Sequence, residues 1–154
     1  MGKNARDVVA AFVSRVDAVL RGQPANPYEL LCTNVVVVVI GTTPLSGVYF
    51  GQEEVRKILV PTAALRIKSG EAILLDSIAE GDRVGVFLKI TATSRIGKVY
   101  NAAGDPAGCY FKLKDGKISE IRFYPDTTQI ETQLYGRVFV PNSPRAAQPT
   151  EARS

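Results

Sequence analysis

Residues 109–127 read CYFKLKDGKISEIRFYPDT, and this stretch decides the architecture. Asp115-Gly116 at its centre is a strong hairpin signal, because a tight two-residue turn needs positive φ at both central positions and this dipeptide supplies it. The flanking segments therefore run antiparallel, with side chains alternating at a period of two. Cys109, Phe111 and Leu113 share one face, which Ile121 and Phe123 join. Tyr110, Lys112, Arg122 and Tyr124 are left on the other as a mixed aromatic-basic stripe. At Pro125 the chain leaves the sheet. Asp126 and Gln129 then form a capping-box-like start for a short helix, with Ile130 and Leu134 inward and Gly136 as its stop.

Working upstream, the same period continues. Residues 83–93 set Val84, Val86, Leu88 and Ile90 against Gly85, Phe87, Lys89 and Thr91, behind a Glu80-Gly81-Asp82 turn that pairs them with a strand over 72–80. Residues 99–114 form a further strand, interrupted at 102–108 where Gly104-Asp105-Pro106 reads as a turn. Earlier still, Val8, Val9, Phe12, Val13, Val16, Val19 and Leu20 recur at helical spacing. They predict an amphipathic helix over 5–21, capped by Asn4 and stopped at Arg21-Gly22. Asn26-Pro27 opens a second, short helix carrying Tyr28, Leu30, Leu31 and Cys32. A third begins near Gly51, with Glu53 and Glu54 at its positive end, Val55, Ile58 and Leu59 inward, and Pro61 ending or kinking it. Between the helices, Val35–Ile40 is an unbroken aliphatic run that predicts a strand covered on both faces. Gly41 to Gly51 reads as a connection.

The chain has 154 residues, 45% hydrophobic and 22% charged, as in an average soluble domain. Residues 1–136 are expected to form one domain, and 137–154, with Pro141, Pro144 and Pro149, an extended or disordered tail. There is no His, so a Ser-His-Asp or Cys-His relay is impossible, as is any metal site that needs imidazole. Cys32 and Cys109 lack metal spacing and read as free thiols. No phosphate-cradling glycine loop or metal cluster is present, so neither cofactor nor metal is expected. The net charge of +4 is modest, and the cations of residues 83–122 show no nucleic-acid-binding motif. No secretory signal is visible, and no aliphatic run approaches membrane-spanning length. The expected protein is cytoplasmic, with neither nucleic acid nor membrane as partner.

The element order, with the stretches Thr43-Pro44-Leu45-Ser46-Gly47, Glu80-Gly81-Asp82-Arg83-Val84, Asp115-Gly116-Lys117-Ile118 and Ile121-Arg122-Phe123-Tyr124-Pro125-Asp126-Thr127, resembles the nuclear transport factor 2-like superfamily. The likeness is greatest to its ketosteroid-isomerase and SnoaL-like branch, and it covers roughly residues 6–136. The resemblance implies an α+β fold: a cone-shaped barrel of curved, mostly antiparallel sheet wrapped around N-terminal helices. It also allows the branch's catalytic positions to be tested. The ketosteroid-isomerase oxyanion tyrosine falls on Phe12, the general base on Val38 and the protonated aspartate on Cys109. A thiol is a weak donor and no substitute for a carboxylic acid. The acid of limonene-epoxide-hydrolase-like members falls on Phe123, and their Arg-x-Asp pair is missing from Leu88-Lys89-Ile90-Thr91. What remains is the Tyr-x-Asp pattern of SnoaL-like members, Tyr124 and Asp126. Asp126 is either an acid/base residue at a pocket mouth or an ordinary helix N-cap.

These readings predict an apolar pocket in which Phe12, Tyr28, Val36, Val38, Tyr49, Val86, Leu88, Cys109, Phe111 and Phe123 bind a small apolar or aromatic metabolite. Two alternatives stand beside it. One is a SnoaL-like cyclase or isomerase working through Asp126 and Tyr124, so enzyme status is open. The other is a dimeric interaction module whose cavity is incidental. The aromatic-basic stripe is the expected homodimer face, as is common in the branch.

Overall fold

The structure is a computed structural model and describes residues 4–138. The tail expected from 137 onward lies outside the described residues but for its first two. Helix α1 (Ala5–Leu20) is capped by the Asn4 side chain, which accepts from the Asp7 N–H at 2.9 Å. A 3₁₀ turn, Pro27–Leu30, follows and leads directly into β1 (Leu31–Val39). Then come β2 (Gly47–Phe50), helix α2 (residues 51–64), β3 (Ile67–Glu80), β4 (Arg83–Ser94), the two-residue β5 (Val99–Tyr100), β6 (Pro106–Lys114), β7 (Lys117–Tyr124) and helix α3 (residues 127–134).

All seven strands form one mixed sheet in the order β2-β1-β7-β6-β4-β3, with β5 on β4. Neighbours run antiparallel except β1 and β7, which are parallel. Irregular pairing in β3 between Leu74 and Asp76, and between Lys112 and Leu113 in β6, bends the sheet, since a bulge adds a residue to one strand only and raises its local twist. The result is a curled half-barrel with α1 laid across its concave side. The Asp115-Gly116 turn has φ of 52° and 79°, the double positive that the dipeptide was read for.

The register places Val84, Phe111, Ile121 and Val37 in one row across the concave face, and Val86, Cys109, Phe123 and Val39 in the next. Onto these rows α1 buries Val8, Val9 and Val13, and Phe12 meets Phe111 edge-on with ring centroids 5.9 Å apart. Each such side chain contributes about 1.5–3 kcal/mol when fully buried. A polar strap holds the far end of α1. Asp17 accepts the Ala72 N–H at 2.8 Å and pairs with Arg21, which reaches Glu71 at 2.9 Å. A second cluster, Leu45, Ala92, Tyr100, Ile130 and Leu134, packs α3 against β4 and β5. Among the described residues no helix is long and apolar enough to cross a membrane.

Three expectations are corrected. The stretch read as a connection contains β2, an edge strand paired with β1 from Val36↔Phe50 to Val39↔Gly47; its short, mixed Gly-Val-Tyr-Phe composition gave no clear alternation. Of the two outcomes expected at Pro61, the helix does not end there. A π-helical turn over Val55–Leu59 precedes it, and α2 continues to Ala64, so the missing proline N–H falls where regular α-helical bonding is already interrupted. Finally, β1 has the opposite parity to the one expected. Val35, Val37 and Val39 are buried against the core, while Val36 and Val38 lie half-buried on the convex face.

Candidate functional site

The concave face, α1 and α2 enclose a cavity of about 270 Å³. Helix α1 contributes Phe12, Val13 and Val16; Tyr28 stands on the 3₁₀ turn; β1 supplies Leu31, Val37 and Val39. Val55, Leu59 and Val60 come from the π turn of α2 and its continuation. The sheet floor is Ala72, Leu88, Ile90, Cys109, Phe111, Ile121 and Phe123. The wall is carbon and one sulfur almost throughout, with no carboxylate, amide or cation on it.

The Cys109 thiol is held by burial at a pKa of about 12, against an ordinary 9.0, so at neutral pH it is uncharged. Burial also raises the Tyr28 hydroxyl, and the Arg56 guanidinium, seated 3.8 Å from the centre of the Tyr28 ring, works against that rise.

Six of the residues expected at the pocket line this cavity: Phe12, Tyr28, Leu88, Cys109, Phe111 and Phe123. Four do not. Val36 and Val38 point to the other side of the sheet, as their parity requires. Tyr49 is buried on the concave side at the β2 edge, and its hydroxyl donates to the Leu45 carbonyl at 2.8 Å, so it ties down the 41–46 connection instead. Val86 faces the core but packs outside the cavity. In place of Val36 and Val38 the cavity holds Val37 and Val39; an all-valine run carries no alternation from which to choose. Val13 and Val16 lie on the apolar face of α1 that the helical period marks out. Nothing in the sequence singles out Ala72 or Val60.

Neither member of the Tyr-x-Asp pattern reaches the cavity. Tyr124 lies on the convex face, 48% exposed. Asp126 is exposed, and its Oδ1 accepts the Gln129 N–H at 3.0 Å as the N-cap of α3. Its own N–H donates to the Tyr100 hydroxyl at 3.3 Å. That hydroxyl is held above its ordinary pKa, chiefly by burial. The Tyr100 end of the molecule is stitched by Asn101, whose amide donates to the carbonyls of Ile90 and Asp105 at 2.8 and 2.9 Å. Among the described residues no group of three or more His, Cys, Asp or Glu is placed to hold a metal ion.

No protein-family model matches the sequence, and neither does any curated protein. Solved structures do match in shape. A nuclear transport factor 2-like protein from Burkholderia pseudomallei superposes with a TM-score of 0.70 at 16% identity, covering 86% of this chain and 98% of its own. A protein assigned as a SnoaL-like polyketide cyclase from Jannaschia sp. gives 0.64 at 16% identity over 90% and 98%. One of ketosteroid isomerase-like fold from Catenulispora acidiphila, in complex with trimethylamine, gives 0.62 at 14% identity over 84% and 97%.

Proposed function

The chain has the nuclear transport factor 2-like fold, and on that fold we propose a small-molecule-binding protein that holds an apolar or aromatic metabolite in its concave cavity without using the isomerase residues of the branch. The observation that carries this reading is the cavity wall, apolar from α1 to the sheet floor. Water gains little in such a space, whereas an apolar guest exchanges water contacts for carbon contacts. The position of the isomerase tyrosine holds Phe12. The wall of β1 offers only Val37 and Val39 where a general base would stand, and the Cys109 thiol keeps its proton at neutral pH. An enzyme working through Asp126 would need that carboxylate beside the guest, but it is exposed and engaged with the helix backbone.

The test is titration with the neutral fluorophore N-phenyl-1-naphthylamine. The wild-type protein should enhance and saturate its emission. Ala72→Leu, which grows a side chain into the cavity, should weaken that binding by at least about tenfold while the fold is retained. Unsaturable emission, or equal binding by the filled variant, would contradict the proposal and favour an interaction module with an incidental cavity.

We also propose a homodimer through the convex face. The sequence stripe Tyr110, Lys112, Arg122 and Tyr124 continues there into Val36, Val38, Val48 and Phe50 on one side and into Phe87 and Ile78 on the other. Phe50 is 62% and Ile78 72% exposed, a large apolar area for a lone subunit. A stable pair should bury at least about 1,000 Å² in total. Sedimentation at micromolar concentration should give a dimer that Phe50→Asp with Tyr124→Asp converts to monomer. A wild-type monomer would refute it. The convex cations are interleaved with Asp76, Glu80 and Glu120, which suits neither a nucleic acid nor a membrane surface. A cytoplasmic location completes the proposal.

A further inference from the structure

We infer that the buried part of the ligand carries no hydrogen-bonding group at all: the guest is a neutral hydrocarbon body of about two fused rings, or an isoprenoid of that size, and not a ketone, quinone or phenol. This rests on the cavity being the binding site and asks what that site selects.

Two observations set the class. The first is the wall. Val37, Val39, Leu88, Phe111 and Phe123 bring only carbon to the interior, Cys109 brings a weakly donating thiol, and the one hydroxyl among the lining residues is that of Tyr28, on the 3₁₀ turn and not on the sheet floor. The backbone N–H and C=O groups of the strands behind them are committed to the sheet ladder. A hydroxyl or carbonyl on the guest held against the sheet floor would therefore leave its water partners and find no replacement there, which is the costly case for a buried polar group. The rejection is bounded: an apolar pocket turns away an added hydroxyl by about a hundredfold, less than a site with partners turns away a guest that lacks one. The second observation is size. A dry apolar hole of about 150 Å³ in another protein accepts benzene. The volume here, about 270 Å³, leaves room for a second ring and little more. Four aromatic rings at the wall, Phe12, Tyr28, Phe111 and Phe123, favour a flat or compact guest through edge contacts.

The inference separates this cavity from that of an isomerase or cyclase, whose chemistry needs a carbonyl beside a donor. It also gives the terminal substituent of any larger guest one permitted place, the solvent end of the cavity.

The experiment compares naphthalene with 2,6-dihydroxynaphthalene, each displacing N-phenyl-1-naphthylamine from the full chain; the probe's naphthalene enters the cavity and its anilino N–H and phenyl ring stay at the solvent end. The diol has a hydroxyl at both ends of the ring system, so no orientation leaves both in water. Naphthalene should displace the probe, and the diol should bind at least about tenfold more weakly. Val39→Thr, close to isosteric, adds one hydroxyl to the wall and should narrow that gap at least threefold. Diol binding within about threefold of naphthalene, or a gap unchanged by Val39→Thr, would overturn the inference and leave the binding-site reading standing. If the probe binds saturably but neither naphthalene nor the diol displaces it, the inferred guest class is wrong. If the probe itself does not bind, the binding-site reading falls and this inference with it.

Discussion

On the concave face, Val37 and Val39 meet Ile121 and Phe123 across the ladder and look into an apolar cavity. On the convex face, Val36 and Val38, each one residue away, meet Phe50 and Val48 across the ladder and are only half-buried among the described residues. The two faces of β1 are thus chemically alike and structurally opposite. A strand apolar on both sides is ordinarily a strand covered on both sides. Here the described residues supply one cover, α1 with α2, and the proposed dimer would supply the second. On the proposed reading, the same residue type does two jobs according to its parity, one in holding a guest and one in holding a neighbour.

The sharpest break of this comparison is a charge placed at adjacent positions. Val37→Asp buries a carboxylate with no cation beside it and should cost at least about 4 kcal/mol, or prevent folding. Val38→Asp places the same charge on the convex face next to Arg122, its cross-strand partner, and should cost less than about 1 kcal/mol in urea unfolding of dilute protein. Equal losses at the two sites would mean that β1 does not alternate as described.

A smaller effect tests the cover itself. Asp17→Ala removes the acceptor of the Ala72 N–H and the pair with Arg21, and should cost about 1–2 kcal/mol while weakening probe binding, since it loosens α1 over the cavity. Burial alone would raise the Asp17 pKa, but the Ala72 N–H and Arg21 outweigh it and hold it below the ordinary 3.8. A lowered folded pKa gives stability that is complete above the unfolded value and lost as pH falls through the folded one. The gap between wild type and Asp17→Asn should therefore be flat from pH 7 to about 5 and close below about pH 4. A gap that widens on acidification would contradict the strap.

The smallest effect concerns Asp126. As a cap, Asp126→Ala should cost about 1 kcal/mol and Asp126→Asn only a few tenths, because Asn caps about as well as Asp. Neither change should alter probe affinity, as the residue lies outside the cavity. A tenfold loss of binding in the Asn variant would bring the carboxylate back into the site.

How far the sequence carried these conclusions depended on whether a local rule had a competitor. The Asp115-Gly116 hairpin was legible because few turns accept its two positive φ values, and the strands on either side inherited their parity from it. Helix α1 was legible from its single apolar face, and Phe12 reached the cavity as that face required. The 35–40 run was not legible in the same way. Five valines in succession satisfy either parity, and only the ladder to β7, Val37↔Ile121 and Val39↔Phe123, decides between them. Tyr49 shows a different limit. Its ring faces inward as expected, but the Leu45 carbonyl claims its hydroxyl, a tertiary fact that no spacing encodes. Gly41 is a third case. Its φ of 120° and the Thr127 methyl carbon, 2.6 Å from where a Cβ would sit, pin the end of β1 against the start of α3. In the sequence it is one more glycine in a connection.

The central claim is that the concave valines face a guest and the convex valines do not. Methyl NMR of valine-labelled protein, titrated with naphthalene, reads both at once. Val37 and Val39 should shift with a common saturation midpoint, as should Val13 and Val16, while Val36, Val38 and Val48 stay within experimental error. Shifts confined to Val36, Val38 and Val48, with the concave methyls unmoved, would contradict the account.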